Sequence, residues 1–345
     1  MPVTFKVAVA GCTGYAGGEI LRLLADHPGV EIGALTAHSN VGVPLGEVQP
    51  HLASLADHPV VETSAETLAG HDVVFMALPH TASAALAGEL SPDTLIVDSG
   101  ADFRLTSSDE WEKFYGTPWA GHWPYGLPEL PGQRAVLAET KRIAVPGCYP
   151  TAITLALASA IAAGIGDPKD IVVVAASGTS GAGKALKPNL LGSEVMGSVS
   201  AYGFGGVHRH IPEILQNLRS LGADAPQLSF TPLLVPMSRG ILATCSLPLP
   251  TPVSEAEVRA VYEAFYASEP FVTLMPTGVS PTTAAVLGSN MVQIQVAVDA
   301  AAGRLIVLSA IDNLTKGTAG GAIQSMNIAL GLDETMGLPR QGVAP

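Results

Sequence analysis

The feature that most constrains this chain lies at its start. Residues 6–10 form an apolar run, and the next nine residues read GCTGYAGGE. Gly11, Gly14 and Gly17 let the backbone turn sharply there, and the residues that follow suit a helix. A strand, a glycine turn and a helix in that order present backbone N–H groups at a helix N-terminus, where a pyrophosphate is held. The spacing is G-x-x-G-x-x-G instead of the commoner G-x-G-x-x-G. The expected dinucleotide site comprises Gly11, Thr13, Gly14, Tyr15, Ala16 and Gly17. At the tip of the second strand, where an NAD enzyme usually carries an Asp or Glu for the ribose hydroxyls, the chain reads EIGALTAHSN. Thr36, His38 and Ser39 stand there without an acid, so nothing repels a ribose 2′-phosphate and hydroxyls are at hand to hydrogen-bond it. NADP(H) is the expected cofactor, with Thr36 and Ser39 among its contacts and no Arg for the phosphate.

The same strand-and-helix alternation continues. Apolar runs at 6–10, 30–36, 73–78 and 95–99 are interleaved with helical patterns, the first over 17–25. This implies βαβ units, a parallel sheet and the α/β class, in a Rossmann-type NADP-binding domain. A chain of 345 residues exceeds what one core usually supports, so a second domain is expected. Between Ala101 and Val145 the composition turns to Pro, Gly, Trp and Tyr, which predicts an ordered loop region and a boundary near Val145. The second half carries longer strands, at 171–176, 227–235, 241–247, 291–298 and 304–311, several without helices between them. An α+β substrate and dimerisation domain with a mixed or antiparallel sheet is expected over 146–312. A last helix over 318–330 places Ile323, Met326, Asn327 and Leu330 on one face. It is expected to fold back onto the first domain, which then comprises 1–145 and 313–345.

Charge narrows the function. The net charge is −13 with only 17 Lys and Arg, which repels a phosphate backbone and an anionic lipid surface alike. No nucleic-acid or membrane partner is expected; the longest apolar stretch, near 153–165, is too short and too rich in Ala to span a bilayer. The start of the chain lacks a basic region and a secretory cleavage pattern. Three cysteines, an odd number without CxxC, fit neither a disulfide framework nor a zinc site. A cytoplasmic location without a bound metal is expected.

Cys148 lies in AVPGCYPTAITLALASAIAAG, after a Pro-Gly turn and before a helix expected to start about Thr151. The positive end of a helix lowers a thiol pKa. A free Cys is more often a small buried apolar residue, the expected fate of Cys12 and Cys245. Cys148, on a loop at the expected domain junction, suits a nucleophile. The segment GVHRHIPEI supplies His208 and His210, with Arg209 between them and Glu213 downstream. Pro212 is a good first helical residue, so both histidines are expected in an exposed loop before a helix, and either serves as proton partner to the thiolate. In SGTSGAGKA, Gly178, Gly183 and Lys184 match G-x-x-x-x-G-K, but Ala185 stands where a Mg²⁺-binding Ser or Thr is needed, so the nucleotide-hydrolase reading fails. The loop is expected to hold an anionic substrate group through its backbone N–H groups and the hydroxyls of Ser177, Thr179 and Ser180.

Together these elements resemble the N-acetyl-γ-glutamyl-phosphate reductase family over essentially the whole chain. The motifs that carry the resemblance are GCTGYAGGE, DSGADFRL, WPYGLPEL, VPGCYPTA, SGTSGAGK, Tyr202 followed by GVHRHIPE, and DNLTKGTAGGAIQSMN. Actinobacterial members look especially similar. Aspartate-semialdehyde dehydrogenases share the architecture and cysteine chemistry, but their nucleophile stands in an Asn-Cys-Ser/Thr context, whereas this chain has GCYPT. The resemblance implies NADPH-dependent reduction of N-acetyl-L-glutamyl 5-phosphate to the 5-semialdehyde, through a cysteine thioester, in arginine biosynthesis. It implies Cys148 as nucleophile, His210 or His208 as acid/base, and Arg104, Ser177, Gly178, Tyr202, His208 and Glu213 around the substrate. Asn313 and the following GTAGG fall on the nicotinamide side, and the assembly implied is a homodimer or homotetramer. The alternatives are a related acyl-phosphate reductase, for aspartyl or aminoadipyl phosphate, and a non-catalytic NADP-binding sensor.

Overall fold

The computed structural model describes residues 4–344, which divide into two compact units. Unit 1 takes the chain up to Glu112, Gly116–Pro146 and Thr318–Leu338; unit 2 takes Lys113–Tyr115, Gly147–Gly317 and the segment from Pro339.

Unit 1 is built on a six-stranded sheet. β1 (Phe5–Ala10), β2 (Val30–Ala37), β3 (Val60–Glu62), β4 (Val73–Met76), β5 (Leu95–Asp98) and β6 (Arg142–Ala144) lie in the order β3-β2-β1-β4-β5-β6. Every pairing is parallel. All four residues of β4 and all four of β5 are buried, which is why those segments read as unbroken apolar runs instead of alternating. The strand order reverses between β1 and β4, and ligands of such sheets bind outside the carboxyl ends of the strands at that point. The helical elements are α1 (Tyr15–Leu24), single turns α2 (Leu45–Val48) and α3 (Ala65–Leu68), α4 (Ser83–Glu89), α5 (Ser108–Tyr115), whose last three residues count with unit 2, and α6 (Gln133–Ala138).

The region 101–145 corrects an expectation: it is not all loop but holds α5, α6 and β6. Local capping outweighs its Pro and Gly content. Ser107 accepts the Glu110 N–H at the start of α5, Asp109 and Glu110 occupy the first turn, and Gly116 closes the helix at φ 69°. The irregular part between α5 and α6 is pinned by side chains: the Trp119 indole donates to the Leu105 carbonyl, and Trp123 stacks on Phe103.

The C-terminal helix (Gly320–Ala329) is buried nearly all round instead of along the one expected face. Small residues permit this; Gly126, in the segment before α6, approaches the Ser325 hydroxyl so closely that a Cβ would fall 3.1 Å from it. Buried polar groups on it are matched: His27 Nε2 meets Asn327 Oδ1 at 3.0 Å, and Gln324 donates to Glu129 at 3.1 Å.

Unit 2 carries a mixed seven-stranded sheet. β7 (Ile171–Ser177), β8 (Ser200–Ala201), β9 (Leu228–Leu234), β10 (Ile241–Pro248), β11 (Val272–Leu274), β12 (Val292–Asp299) and β13 (Arg304–Ile311) run in the order β11-β12-β13-β10-β7-β9-β8. The β7–β9 and β11–β12 pairs are parallel and the others antiparallel. Alternation is clean here: Ile171, Val173, Ala175 and Ser177 are buried, while Val172 and Val174 face outward. The buried face packs on α7 (Cys148–Ala162), which is itself flanked by α9 (Ile211–Ser220) and α10 (Glu255–Phe265). Short turns α8 (Gly192–Val195) and α11 (Thr283–Val286) complete the unit. Residues 149–161 of α7 are all buried, as expected of a helix that is apolar on every side. Tyr262 and Tyr266 donate to the carbonyls of Ala156 and Leu155 in the middle of α7 and lock α10 against it.

The tightest backbone approach in unit 1 yields a test. A Cβ on Gly17 would lie 2.2 Å from the Gly11 carbonyl oxygen, within α1 and away from any flexible side chain. Gly17→Ala is expected to lower unfolding stability by about 1–3 kcal/mol, the usual effect of overpacking, read as a reduced urea midpoint at unchanged slope. An unchanged midpoint would mean that the turn has slack.

Candidate active site

The nucleophile candidate sits where a helix begins. Gly147 is the N-cap of α7 with extended backbone (φ −68°, ψ 153°), and Cys148 is the first helical residue. The helix thus starts three residues earlier than the expected Thr151. Pro150 does not delay it, because a proline in the first turn lacks an N–H that would have had no helical partner. Thr151 seals the turn, its N–H and hydroxyl both donating to the Gly147 carbonyl at 3.0 Å. Cys148 is partly exposed, while Cys12 and Cys245 are buried. Burial pushes the Cys12 thiol up to about 11 and raises that of Cys245 as well, so neither supplies a thiolate near neutrality.

Two glycines and a carboxylate fix the cysteine. The Gly147 N–H donates to Oε1 of the buried Glu213 at 2.8 Å. A Cβ on Gly147 would fall 2.6 Å from His210 Nε2, so the imidazole edge lies directly against the residue before Cys148. On the other side, a Cβ on Gly317 would fall 2.8 Å from the Cys148 Cβ.

The histidines precede the helix, as expected, but their rings are not fully exposed. His210 is the N-cap of α9, which begins at Ile211 and puts Pro212 second in the helix, and both rings are partly buried. Aromatic packing draws them in: His208 lies edge-on to Tyr149 at 5.5 Å and to Phe230 at 5.1 Å, and His210 lies 6.0 Å from Tyr149. His208 Nδ1 accepts the His210 N–H at 3.1 Å, which leaves the His208 proton on Nε2. Burial, and then the neighbouring Arg209, lower His208 to about 4, so its ring is neutral at physiological pH. The Tyr149 and Tyr202 hydroxyls meet at 2.7 Å. Burial raises both phenols, Tyr202 to about 12, so both remain protonated hydrogen-bonding groups.

The loop after β7 differs from expectation. It forms a 3₁₀ turn (Thr179–Ala182) whose backbone donors are occupied: the N–H groups of Gly178, Thr179 and Ser180 reach the carbonyls of Gly240, Met237 and Ser238. They do not form an anion cradle. Gly178 is instead a packing residue, because a Cβ there would fall 2.7 Å from the Arg239 nitrogen. Ser177 is buried at the end of β7 and donates to the Gly178 carbonyl. Asn313, expected near the nicotinamide, is buried and bridges two loops of unit 2, accepting from Gly240 N–H at 2.7 Å and donating to Ser180 Oγ at 3.0 Å.

The sequence reading missed Arg239 and Asp312. Asp312 is fully buried, pairs with Arg239 at 2.8 Å and accepts the N–H groups of Gly288, Leu314 and Thr315. It thereby shapes the π-helical turn Thr315–Ala319 that carries Gly317 to Cys148. The available signal was a lone acid directly after the apolar strand β13.

In unit 1 the glycine turn has the form a dinucleotide needs. Gly11 has φ 88°, and a Cβ on it would lie 2.3 Å from the Ala77 carbonyl oxygen. Gly14 caps α1, whose first turn carries no acid, and Tyr15 stands exposed beside it. Thr13 and Ala16 are partly exposed. Gln49, another residue the sequence did not reveal, donates to the carbonyls of Cys12 and Gly14 and sets the shape of the turn. Thr36 is corrected: it is buried and its hydroxyl pairs with that of Thr63 at 2.8 Å, because the strand end turns this side chain toward the residue that follows β3. Ser39 is exposed. Arg104 is buried at the end of the DSGADFRL segment and donates to the Ser99 carbonyl at 2.9 Å.

Comparison with known proteins agrees with this division. Residues 6–138 match the family model described as semialdehyde dehydrogenase, NAD binding domain, and residues 148–313 match the semialdehyde dehydrogenase dimerisation domain. Fold and site thus define a nicotinamide-dependent oxidoreductase of the semialdehyde dehydrogenase class. Solved structures of similar fold include aspartate semialdehyde dehydrogenase II from Vibrio cholerae (TM-score 0.71, 16% identity, 95% of this chain and 98% of that one) and a probable aspartate-semialdehyde dehydrogenase from Pseudomonas aeruginosa (TM-score 0.71, 17% identity, 96% and 99%). Much closer in sequence are N-acetyl-γ-glutamyl-phosphate reductases. That of Streptomyces avermitilis is 65% identical over 99% of both chains, and that of Micrococcus luteus is 64% identical over 99% of this chain and all of the relative. The chain belongs to the N-acetyl-γ-glutamyl-phosphate reductase family.

The contact between Gly147 and His210 is directly testable. Gly147→Ala is expected to displace the imidazole and lower kcat at least a hundredfold, with KM for the acyl phosphate changed less than threefold. Full turnover in steady-state assays would show that the contact of His210 with Gly147 does not matter to the reaction.

Proposed function

We propose that this chain reduces N-acetyl-L-glutamyl 5-phosphate to N-acetyl-L-glutamate 5-semialdehyde with NADPH, in arginine biosynthesis. The observation that carries this reading is the helix-initiating Cys148 with the Nε2 edge of His210 against Gly147. The positive end of α7 stabilises a thiolate at Cys148 and the oxyanion that forms beside it. The thiolate attacks the 5-acyl carbon; the carbon–phosphate oxygen bond breaks, phosphate leaves and an enzyme thioester remains. Held by the glycine turn of unit 1 and by Ser39, the reduced dinucleotide supplies hydride when bound. His210 gives a proton to the carbonyl oxygen as the thiohemiacetal forms, and takes it back as the carbon–sulfur bond breaks and aldehyde departs. His208, neutral with its proton on Nε2, serves as a hydrogen-bond donor to substrate, alongside Tyr202. Glu213 holds the Gly147 turn.

The chain associates with itself through unit 2. We take the assembly to be a dimer or tetramer, supported by Val172 and Val174 standing exposed on the open sheet face. A cytoplasmic location is supported by three free cysteines, and the charge of −13 argues against nucleic acid. Among the described residues no helix is long and apolar enough to cross a membrane.

The substrate reading is tested by following NADPH oxidation with N-acetylglutamyl phosphate and with aspartyl phosphate. Preference for the former by at least a hundredfold in kcat/KM, with loss of at least a thousandfold in Cys148→Ser, is expected. Equal use of both, or turnover retained by the serine variant, contradicts it. A second test separates the histidines. Because the His208 ring stays neutral above about pH 4, it contributes no limb to the pH–rate profile between pH 5 and 9. His208→Gln is expected to keep the wild-type limbs at lower kcat, and His210→Gln to abolish one. The reverse pattern would exchange their roles.

A further inference from the structure

At the carboxyl ends of β4 and β5, unit 1 holds a segment in a conformation that its own residues disfavour. Between Ala77 and α4 the chain passes through Pro79, His80 and Thr81, which are exposed, and Thr81 has φ 73°. Left-handed backbone is disfavoured for any β-branched residue, and a tether must hold it. The tether is Asp102. Its Oδ1 accepts the Thr81 N–H at 2.6 Å, and its Oδ2 accepts those of Ser83 at 3.1 Å and Ala84 at 3.2 Å. A fourth bond runs from the Ser83 hydroxyl to Asp98 Oδ1 at 2.7 Å. Asp102 itself is buried. The segment adjoins the dinucleotide turn, since the Ala77 carbonyl is the atom a Cβ on Gly11 would strike, and both flank the β1–β4 position where the strand order reverses.

We propose that Asp102 is a positioning residue for the dinucleotide: its carboxylate holds residues 77–84 in the shape of one wall of the binding crevice, opposite the glycine turn. It touches neither cofactor nor substrate and acts through the backbone of Thr81, Ser83 and Ala84. The free energy of holding Thr81 left-handed is supplied by folding before the ligand arrives, which is what makes a site preformed. The proposal rests on the reading that unit 1 takes NADPH, and fluorescence titration of the wild-type chain with NADPH tests that reading by itself.

Asp102→Asn keeps the size of the side chain but offers one acceptor oxygen where three N–H groups need two. The NADPH dissociation constant, by titration, is expected to rise about tenfold, with kcat within twofold and the rate of Cys148 alkylation by iodoacetamide unchanged. Adding Thr81→Gly, which adopts the left-handed conformation without a tether, is expected to restore the constant to within threefold of wild type. A purely structural role would instead slow alkylation and turnover together and would not respond to the glycine. An NADPH constant that stays within twofold in Asp102→Asn, or no recovery in the double variant, overturns the proposal. Should Asp102→Asn not fold, hydrogen exchange on the wild-type protein decides. NADPH is expected to slow exchange at both 11–17 and 77–84; slowing at 11–17 alone overturns the proposal while leaving the cofactor reading intact.

Discussion

The setting of Cys148, the proposed nucleophile, depends on a close approach at one residue without a side chain. At Gly147 the chain meets the imidazole edge of His210 on one side and gives its N–H to Glu213 on the other. Both contacts come from the first turn of α9, so the start of that helix sets the start of α7. Any Cβ at position 147 would collide with that imidazole edge. The buried carboxylate of Glu213 also satisfies a backbone donor that would otherwise lie in an apolar setting. The same economy appears behind the cysteine, where Gly317 permits contact with Cys148 and Asp312, anchored by Arg239, orders the π-turn that delivers it. Two segments far apart in sequence, the start of α9 and the π-turn, therefore converge on the beginning of α7, and the rest of that helix is buried so thoroughly that it has little freedom to move.

Unit 1 follows a parallel logic with backbone in place of a reactive side chain. Gly11 and Gly17 allow contacts that no other residue permits, and Gln49 and Asp102 use side chains to fix the loops on the two sides of the strand-order reversal. In both units the groups that face a ligand are few. The groups that hold them are buried, hydrogen-bonded and supplied from distant positions.

This contrast explains what was legible in the sequence. The strand, turn and helix at the N-terminus could be read because their signals are local, and so could β7, β10, β12 and β13, whose runs of apolar and β-branched residues stand out. Cys148 could be singled out by its Pro-Gly turn and the helix beyond it. The start of α7 was misplaced because Pro150 looks like a barrier and is harmless in a first turn. The anion-binding reading of the loop at Gly178 failed because its N–H groups are taken by the 237–240 loop, about which the local motif says nothing. Thr36 and Thr63, Asn313 and Gly240, or Asp312 and Arg239 pair only once the sheets are assembled; the last two pairs are each 73 residues apart. No local pattern distinguishes the two histidines either. Tertiary packing does, by setting one against Gly147 and burying the other among Tyr149, Tyr202 and Phe230.

The central claim is that the acyl group passes through Cys148. It is tested most directly by mixing the enzyme with N-acetylglutamyl phosphate without NADPH, quenching in acid and mapping the peptides by mass spectrometry. The account predicts one N-acetylglutamyl group on the peptide containing Cys148, removable by hydroxylamine and accompanied by release of one phosphate. An adduct on another residue, or phosphate released on NADPH addition with no acyl enzyme at any time, would contradict it.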